Sequence, residues 1–215
     1  MSTEMKRAGN YYAGPDHVKT DVRRGVARNR AGTRILTLTS DFLVGLRNAL
    51  VFECGQAADV VMMSAGRRWG KALAVRMGNE LHAHYAVPLA ELPLAVFQGC
   101  LVEAFNTHGL GKLAVDVGLY AKGILVCTVE NPMYAGLVEA GNPPADRLQA
   151  GILAGMFSQL AGRELGCVQT QCQCQGAPDS RFVLTLAERL TMVEVWRNEG
   201  KSHAEIVAAL AQTRV

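Results

Sequence analysis

The stretch DRLQAGILAGMFSQLAGREL, residues 146–165, constrains the fold of this chain more than any other. It reads as a long helix closed by Gly162, with Leu148, Ile152, Leu153, Met156 and Phe157 supplying apolar bulk. Gly151, Ala154, Gly155 and Ser158 lie on its neighbouring turns. A helix with so little side chain on one face lets a second helix or a sheet approach at backbone distance. In QAADVVMMSAGRRWGKALAVRMG, Ala65 and Gly66 leave the same kind of room. That segment predicts a helix with core positions Val60, Val61, Met63, Trp69, Leu73 and Met77 and a stop at Gly78.

Two further helices are predicted in the first half. Ser40 or Thr39 caps one whose apolar residues Phe42, Leu43, Leu46, Leu50 and Val51 recur at helical spacing until Gly55. The other, LPLAVFQGCLVEAFNTHG, opens near Pro93 and closes at Gly109 after a polar connection containing His82, His84 and Pro88. The period then changes. KLAVDVGLY and GILVCTVE are short β-branched runs joined around Ala121, Lys122 and Gly123, and LGCVQTQCQCQG with SRFVLTLAE repeats the pattern, so two hairpins are expected. Pro132 and Gly141 bracket a predicted short helix. AERLTMVEVWRNEG and SHAEIVAALAQ close the chain as helices, the last with Ser202 and Glu205 spaced as a capping box. The expected class is α+β, a small antiparallel sheet of two hairpins packed against several helices, with a helical C-terminal extension.

At 215 residues, with 49% hydrophobic and 19% charged, the composition suits one globular core. No apolar run reaches the roughly 20 residues of a membrane helix, and the opening MSTEMKRAGNYY is polar, so a cytoplasmic protein with no membrane span is expected. Residues 1–34 carry eight Lys and Arg against three acids, and the rest sums to −2, so the basicity belongs to an arm. Gly, Asn and Pro interrupt that arm, which reads as a solvated, partly ordered leader. MVEVWRNEGKSHAEIVAALAQ resembles the first half of a helix-turn-helix, but the chain stops where a recognition helix would begin, and no nucleic-acid partner is expected. Cys54, Cys100 and Cys127 sit in apolar segments, where a reduced cysteine acts as a small hydrophobe. No dinucleotide fingerprint, phosphate loop, zinc-protease helix or nucleophile elbow is present in the sequence, which leans the reading away from an enzyme.

Residues 145–184, ADRLQAGILAGMFSQLAGRELGCVQTQCQCQGAPDSRFVL, resemble the C-terminal signature of the 4-vinyl reductase domain family, and AGRRWGKAL resembles its Gly-x-x-Trp-Gly helix. The resemblance spans residues 34–186 and implies three segments: a leader at 1–33, the domain at 34–186 and an extension at 187–215. It further implies a fold shared with Golgi-transport tethering subunits and with the sensory domains of aromatic-responsive activators. Better-understood members hold zinc through a Cys before the long helix, then a Glu, a Cys and another Cys. Here those positions read Asp146, Gln169, Cys172 and Ser180. A neutral amide and a hydroxyl replace neither the charge nor the softness of such ligands, so no zinc or other cofactor is expected. A counter-reading places Cys172 and Cys174 with Asp146 or Asp179 around a metal. Without metal, Gln169 is expected to hydrogen-bond Ser180 across the hairpin, worth about 1 kcal/mol.

The function this resemblance implies is non-catalytic binding of a small hydrophobic molecule in a buried apolar pocket, by a sensor, carrier or delivery protein that is a homodimer. The alternatives are a dimeric assembly subunit and an accessory protein in tetrapyrrole vinyl-group reduction. Candidate ligand-binding residues are Met63, Phe97, Cys100, Phe105, His108, Tyr120, Met156 and Phe157. Met62, Met63, Met77 and Met156 would form an adaptable wall, or simply fill the core. His108 reads equally as a helix C-terminal residue favoured by the macrodipole, and Tyr120 as the closing residue of a hairpin edge.

Overall fold

The computed structural model describes residues 10–14, 16–137 and 146–213. Three short strands come first: β1 (Val18–Asp21), β2 (Val26–Asn29) and β3 (Arg34–Ile35) form an antiparallel sheet in that order. Helices α1 (Ser40–Cys54), α2 (Ala57–Tyr85) and α3 (Leu94–Thr107) follow. Strands β4 (Lys112–Asp116) and β5 (Leu125–Glu130) form the first predicted hairpin. Helix α4 (Arg147–Ala161) leads to β6 (Gly166–Gln171) and β7 (Ser180–Thr185), and α5 (Ala187–Asn198) and α6 (His203–Gln212) close the chain. The second sheet is antiparallel in the order β4-β5-β7-β6, so the two hairpins join through β5 and β7. The α+β class, the two hairpins and the helical extension all stand as read.

Helix α4 is buried from Leu148 to Ser158 because α2 meets it at backbone distance. A Cβ added at Gly66 would overlap the Leu148 carbonyl oxygen, one at Gly70 that of Ile152, one at Gly151 that of Met63 and one at Gly155 that of Arg67. Four glycines, two per helix at a spacing of four, thus interlock the pair.

Several expectations change here. Helix α2 does not stop at Gly78 but continues to Tyr85, ending at Ala86 in the left-handed region with φ 58. Leu81 and Tyr85 extend the buried stripe of Leu73 and Met77, and that burial outweighs the roughly 1 kcal/mol that an interior glycine costs a helix. His82 and His84 are therefore helical. Val60 and Val61, read as core, are 69% and 41% exposed. Helix α1 has the predicted bounds yet buries none of its residues; only Leu43 and Leu50 of its stripe lean on the core. The predicted helix after Pro132 is a turn through residue 137, and its remainder lies outside the described residues. Residues 18–35, read without strands, carry three.

The four-stranded sheet has two covered faces. Cys127, Val129, Cys167, Phe182 and Leu184 point into the main core with α2, α3 and α4. Ile124, Val168 and Val183 point the other way, against Val193 of α5 and Ile206 and Leu210 of α6. Alternation along each strand thus feeds two cores. The capping box predicted at Ser202 and Glu205 is formed. No helix among the described residues is long and apolar enough to cross a membrane.

Candidate functional site

Met63, Phe97, Cys100, Phe105, Met156 and Phe157, six of the candidate residues, come together in the main apolar cluster. Cys100, Phe105 and Met156 are fully enclosed, while Met63 and Phe97 are half-buried at its margin. Helix α3 supplies Phe97, Cys100 and Phe105 on one face, and α4 supplies Met156 and Phe157 from the opposite side. His108 does not join them as a core group. It forms the C-cap of α3, its Nδ1 lying 2.6 Å from the Ala104 carbonyl oxygen, in keeping with the helix-end reading. Tyr120 stands apart, 69% exposed in the turn between β4 and β5.

The cluster has a polar rim that sequence reasoning missed. Tyr11 and Tyr12 enter it from the arm, and the Tyr12 hydroxyl donates to Glu80 Oε2 at 2.8 Å while Asn29 Nδ2 donates to Glu80 Oε1 at 2.6 Å. Glu80 belongs to the buried stripe of α2, three residues beyond Met77. Beside it sits His17, 2% exposed, with neither ring nitrogen hydrogen-bonded among the described residues. Its ring lies 5.4 Å from that of Tyr11 and 5.0 Å from that of Tyr12, both edge-on. Burial is the main reason the His17 imidazole is pushed below its usual value, with help from His108 and Arg30 and opposition from Glu80. The signal available in the sequence was a Tyr-Tyr pair and a His in an otherwise polar arm, and a carboxylate on an apolar helical stripe.

Deeper in, the Tyr85 hydroxyl lies 3.5 Å from Cys100 Sγ, and burial raises both groups above their ordinary values. Burial likewise raises the Cys127 and Cys167 thiols. Protonated, enclosed thiols are poor nucleophiles, so these cysteines act as apolar lining.

Of the four positions at which the resemblance implied zinc ligands, Asp146, Gln169 and Ser180 converge on a second buried arrangement. Gln169 Nε2 donates to Asp146 Oδ2 at 3.0 Å and to Ser180 Oγ at 3.1 Å, so the expected cross-hairpin bond is present. Ser180 Oγ donates to Asp146 Oδ2 at 3.2 Å, and the Asp146 amide donates to Gln169 Oε1 at 3.1 Å. The amides of Tyr134 and Gln173 complete the network, donating to Asp146 Oδ1 and to Ser180 Oγ. Desolvation raises the Asp146 carboxyl above its usual value despite these donors. Cys172 Sγ faces Cys174 Sγ at 2.9 Å, and Asp179 is engaged by Arg181 and Gln171. This donor set does not fit zinc: its one carboxylate is satisfied by N–H and O–H donors, and an amide and a hydroxyl fill two ligand positions. Among the described residues no group of three or more His, Cys, Asp or Glu is arranged to hold a metal.

The family model of the 4-vinyl reductase domain matches residues 125–186, from β5 through β7, which bears out the resemblance in that stretch. Curated proteins give no match. Among solved structures, the chain is similar to the phenol-responsive sensory domain of the transcription activator PoxR, crystallised with phenol. That likeness has a TM-score of 0.66 at 17% identity, over 99% of this chain and 100% of that one. A vinyl-4-reductase family protein of Methanocaldococcus jannaschii aligns with TM-score 0.48 and 16% identity, over 70% of this chain and 83% of that one. A trafficking protein particle complex subunit 3 of Naegleria fowleri, covalently bound to palmitic acid, aligns with TM-score 0.48 and 15% identity, over 68% and 94%.

Proposed function

We propose that this chain is a small-molecule-binding domain that holds an apolar ligand in its main core and responds to it, as a sensor does. His17 carries the reading. A neutral imidazole enclosed on all sides offers one donor and one acceptor, and leaving both unmet costs more than a typical hydrogen bond returns. A ligand hydroxyl can meet either, while Phe97, Phe105, Met156 and the rings of Tyr11 and Tyr12 take up its hydrocarbon. The whole-length likeness to a phenol-responsive sensory domain supports the same assignment.

Organic extraction of the purified protein, followed by mass spectrometry, tests this directly. A stoichiometric apolar compound is the expected result, or, for empty protein, saturable binding of phenol-like compounds that His17→Phe weakens. An empty protein that binds none of them overturns the reading.

We further propose that the working form is a homodimer formed through α1. Phe42, Val51 and Phe52 are 51%, 47% and 85% exposed on a helix with no buried residue. A 15-residue helix is marginal in water on its own, and a second copy packed on the side of α1 away from Leu43 and Leu50 would cover Phe52.

A further inference from the structure

A cleft of about 350 Å³ lies where the start of α4, strand β6 and the turn joining α5 to α6 meet. Its walls include Arg147, Arg197, Asn198 and Lys201, and it is remote in character from the apolar core, with three cationic side chains and no acidic one in its lining. The neighbouring carboxylates are spoken for. Asp59 Oδ2 takes the Nε of Arg147 at 3.0 Å, and Glu199 Oε2 takes Lys201 Nζ at 3.3 Å. Arg197 has no carboxylate partner among the described residues. Its Nη2 donates to Asn198 Oδ1 at 3.3 Å, and its Nη1 is buried without a hydrogen-bond partner among the described residues.

Buried guanidinium nitrogens rarely go unpaired, since each unmet donor costs the desolvation of a charged group. Burial, and then the nearness of Arg147, lower the hold of Arg197 on its proton, while Glu194 and Asp59 offset part of this. Two guanidiniums close enough to oppose one another, with one carboxylate, Asp59, paired to Arg147 and none paired to Arg197 among the described residues, are what a bound oxyanion would relieve. Arg147 is also the first residue of α4, so the positive end of that helix dipole acts in the same place. Gly200, at φ 81, turns the chain so that Lys201 follows Arg197 onto the same cleft.

We infer that this cleft is a binding site for a phosphoryl-type oxyanion, held by Arg197, Arg147 and Lys201. Three cationic heads match the three outward oxygens of a tetrahedral group one to one, better than the two oxygens of a planar carboxylate. The occupant would tie the C-terminal extension to the N-terminus of the central helix. The inference does not rest on the apolar ligand, and either can fail without the other.

Titration calorimetry of the full chain at low ionic strength, with inorganic phosphate and separately with a nucleoside monophosphate, tests it. Saturable one-site binding is expected, weakened by added salt, with Arg197→Gln reducing affinity roughly tenfold or more. Lys201→Gln, at an exposed position, is expected to weaken binding and decides the matter if Arg197→Gln fails to fold, as judged by its thermal melt. Tighter monoester binding assigns the cleft to a phosphorylated small molecule, and equal binding assigns it to free phosphate. Absence of saturable heat up to about 10 mM of both, or variants that bind like the parent, overturns the proposal.

Discussion

Asp146, Gln169 and Ser180 tie the start of α4 to β6 and β7 through one buried hydrogen-bond network. Every polar atom of Gln169 is used, so Gln169→Ala strips a buried carboxyl of a donor and an amide of its acceptor. A loss of about 2 kcal/mol in urea unfolding is expected. One tightly held zinc per chain, found by elemental analysis of the purified parent protein, would count against the network's role. A second residue-scale expectation concerns acid. Burial holds the imidazoles of His17 and His203 below the ordinary 6.5. Above that value both are neutral, folded or unfolded, and stability is full. As the pH falls below it the unfolded chain takes up protons that the folded one refuses, and stability is lost. Urea unfolding at about pH 7.5 and about pH 5.5 should show the fall, and His203→Gln should shrink it.

At the scale of elements, the α2–α4 pair decides the architecture. Gly155→Ala drives a methyl group into the Arg67 backbone, and a loss of about 3 kcal/mol or failure to fold is expected from its thermal melt. Gly78→Ala in the same helix pair should do the reverse. An added Cβ there meets only the Leu89 side chain at an ordinary 3.7 Å, so a gain of about 0.5 kcal/mol is expected from the less flexible unfolded chain. Gly66, Gly151 and Gly155 announced a close helix contact through their spacing with Ala65, Ala154 and Ser158. Gly78 looked like the same residue type in the role of a stop, and only the buried positions of Leu81 and Tyr85 show that the helix runs on.

For the whole molecule, the sheet separates a large core, where the candidate ligand site lies, from a small one built by α5 and α6. Arg189 locks that extension in place, donating to the carbonyl oxygens of Lys122 and Leu210 at 2.7 and 2.6 Å. The exposed face of α1 carries the prediction that belongs at this scale. Phe52→Glu, at a position 85% exposed, should leave the folded chain intact and convert a dimer to a monomer, as read by light scattering after size exclusion. A parent protein that is already monomeric at high concentration would remove the basis for the dimer.

The small-residue helix on which the sequence turned now has its partner, glycine against glycine, and the two hairpins, the bounds of α1, α3 and α4 and the capping box followed from local pattern, while the far end of α2 and strands β1 to β3 did not. Periodicity, caps and turn residues act over a few positions, so a chain can display them before it folds. Which of two apolar stripes is buried is a different matter, because α1 and α2 read alike and only packing against α4 sets them apart. The rim of Tyr12, His17, Asn29 and Glu80 joins residues 51 and 68 positions apart, and no local signal encodes such an encounter. The sequence alone determined the two hairpins, helices α1, α3 and α4 and the capping box, because these are local patterns; tertiary packing alone decided that Tyr11, Tyr12 and His17, in an arm read as solvated, close over the core.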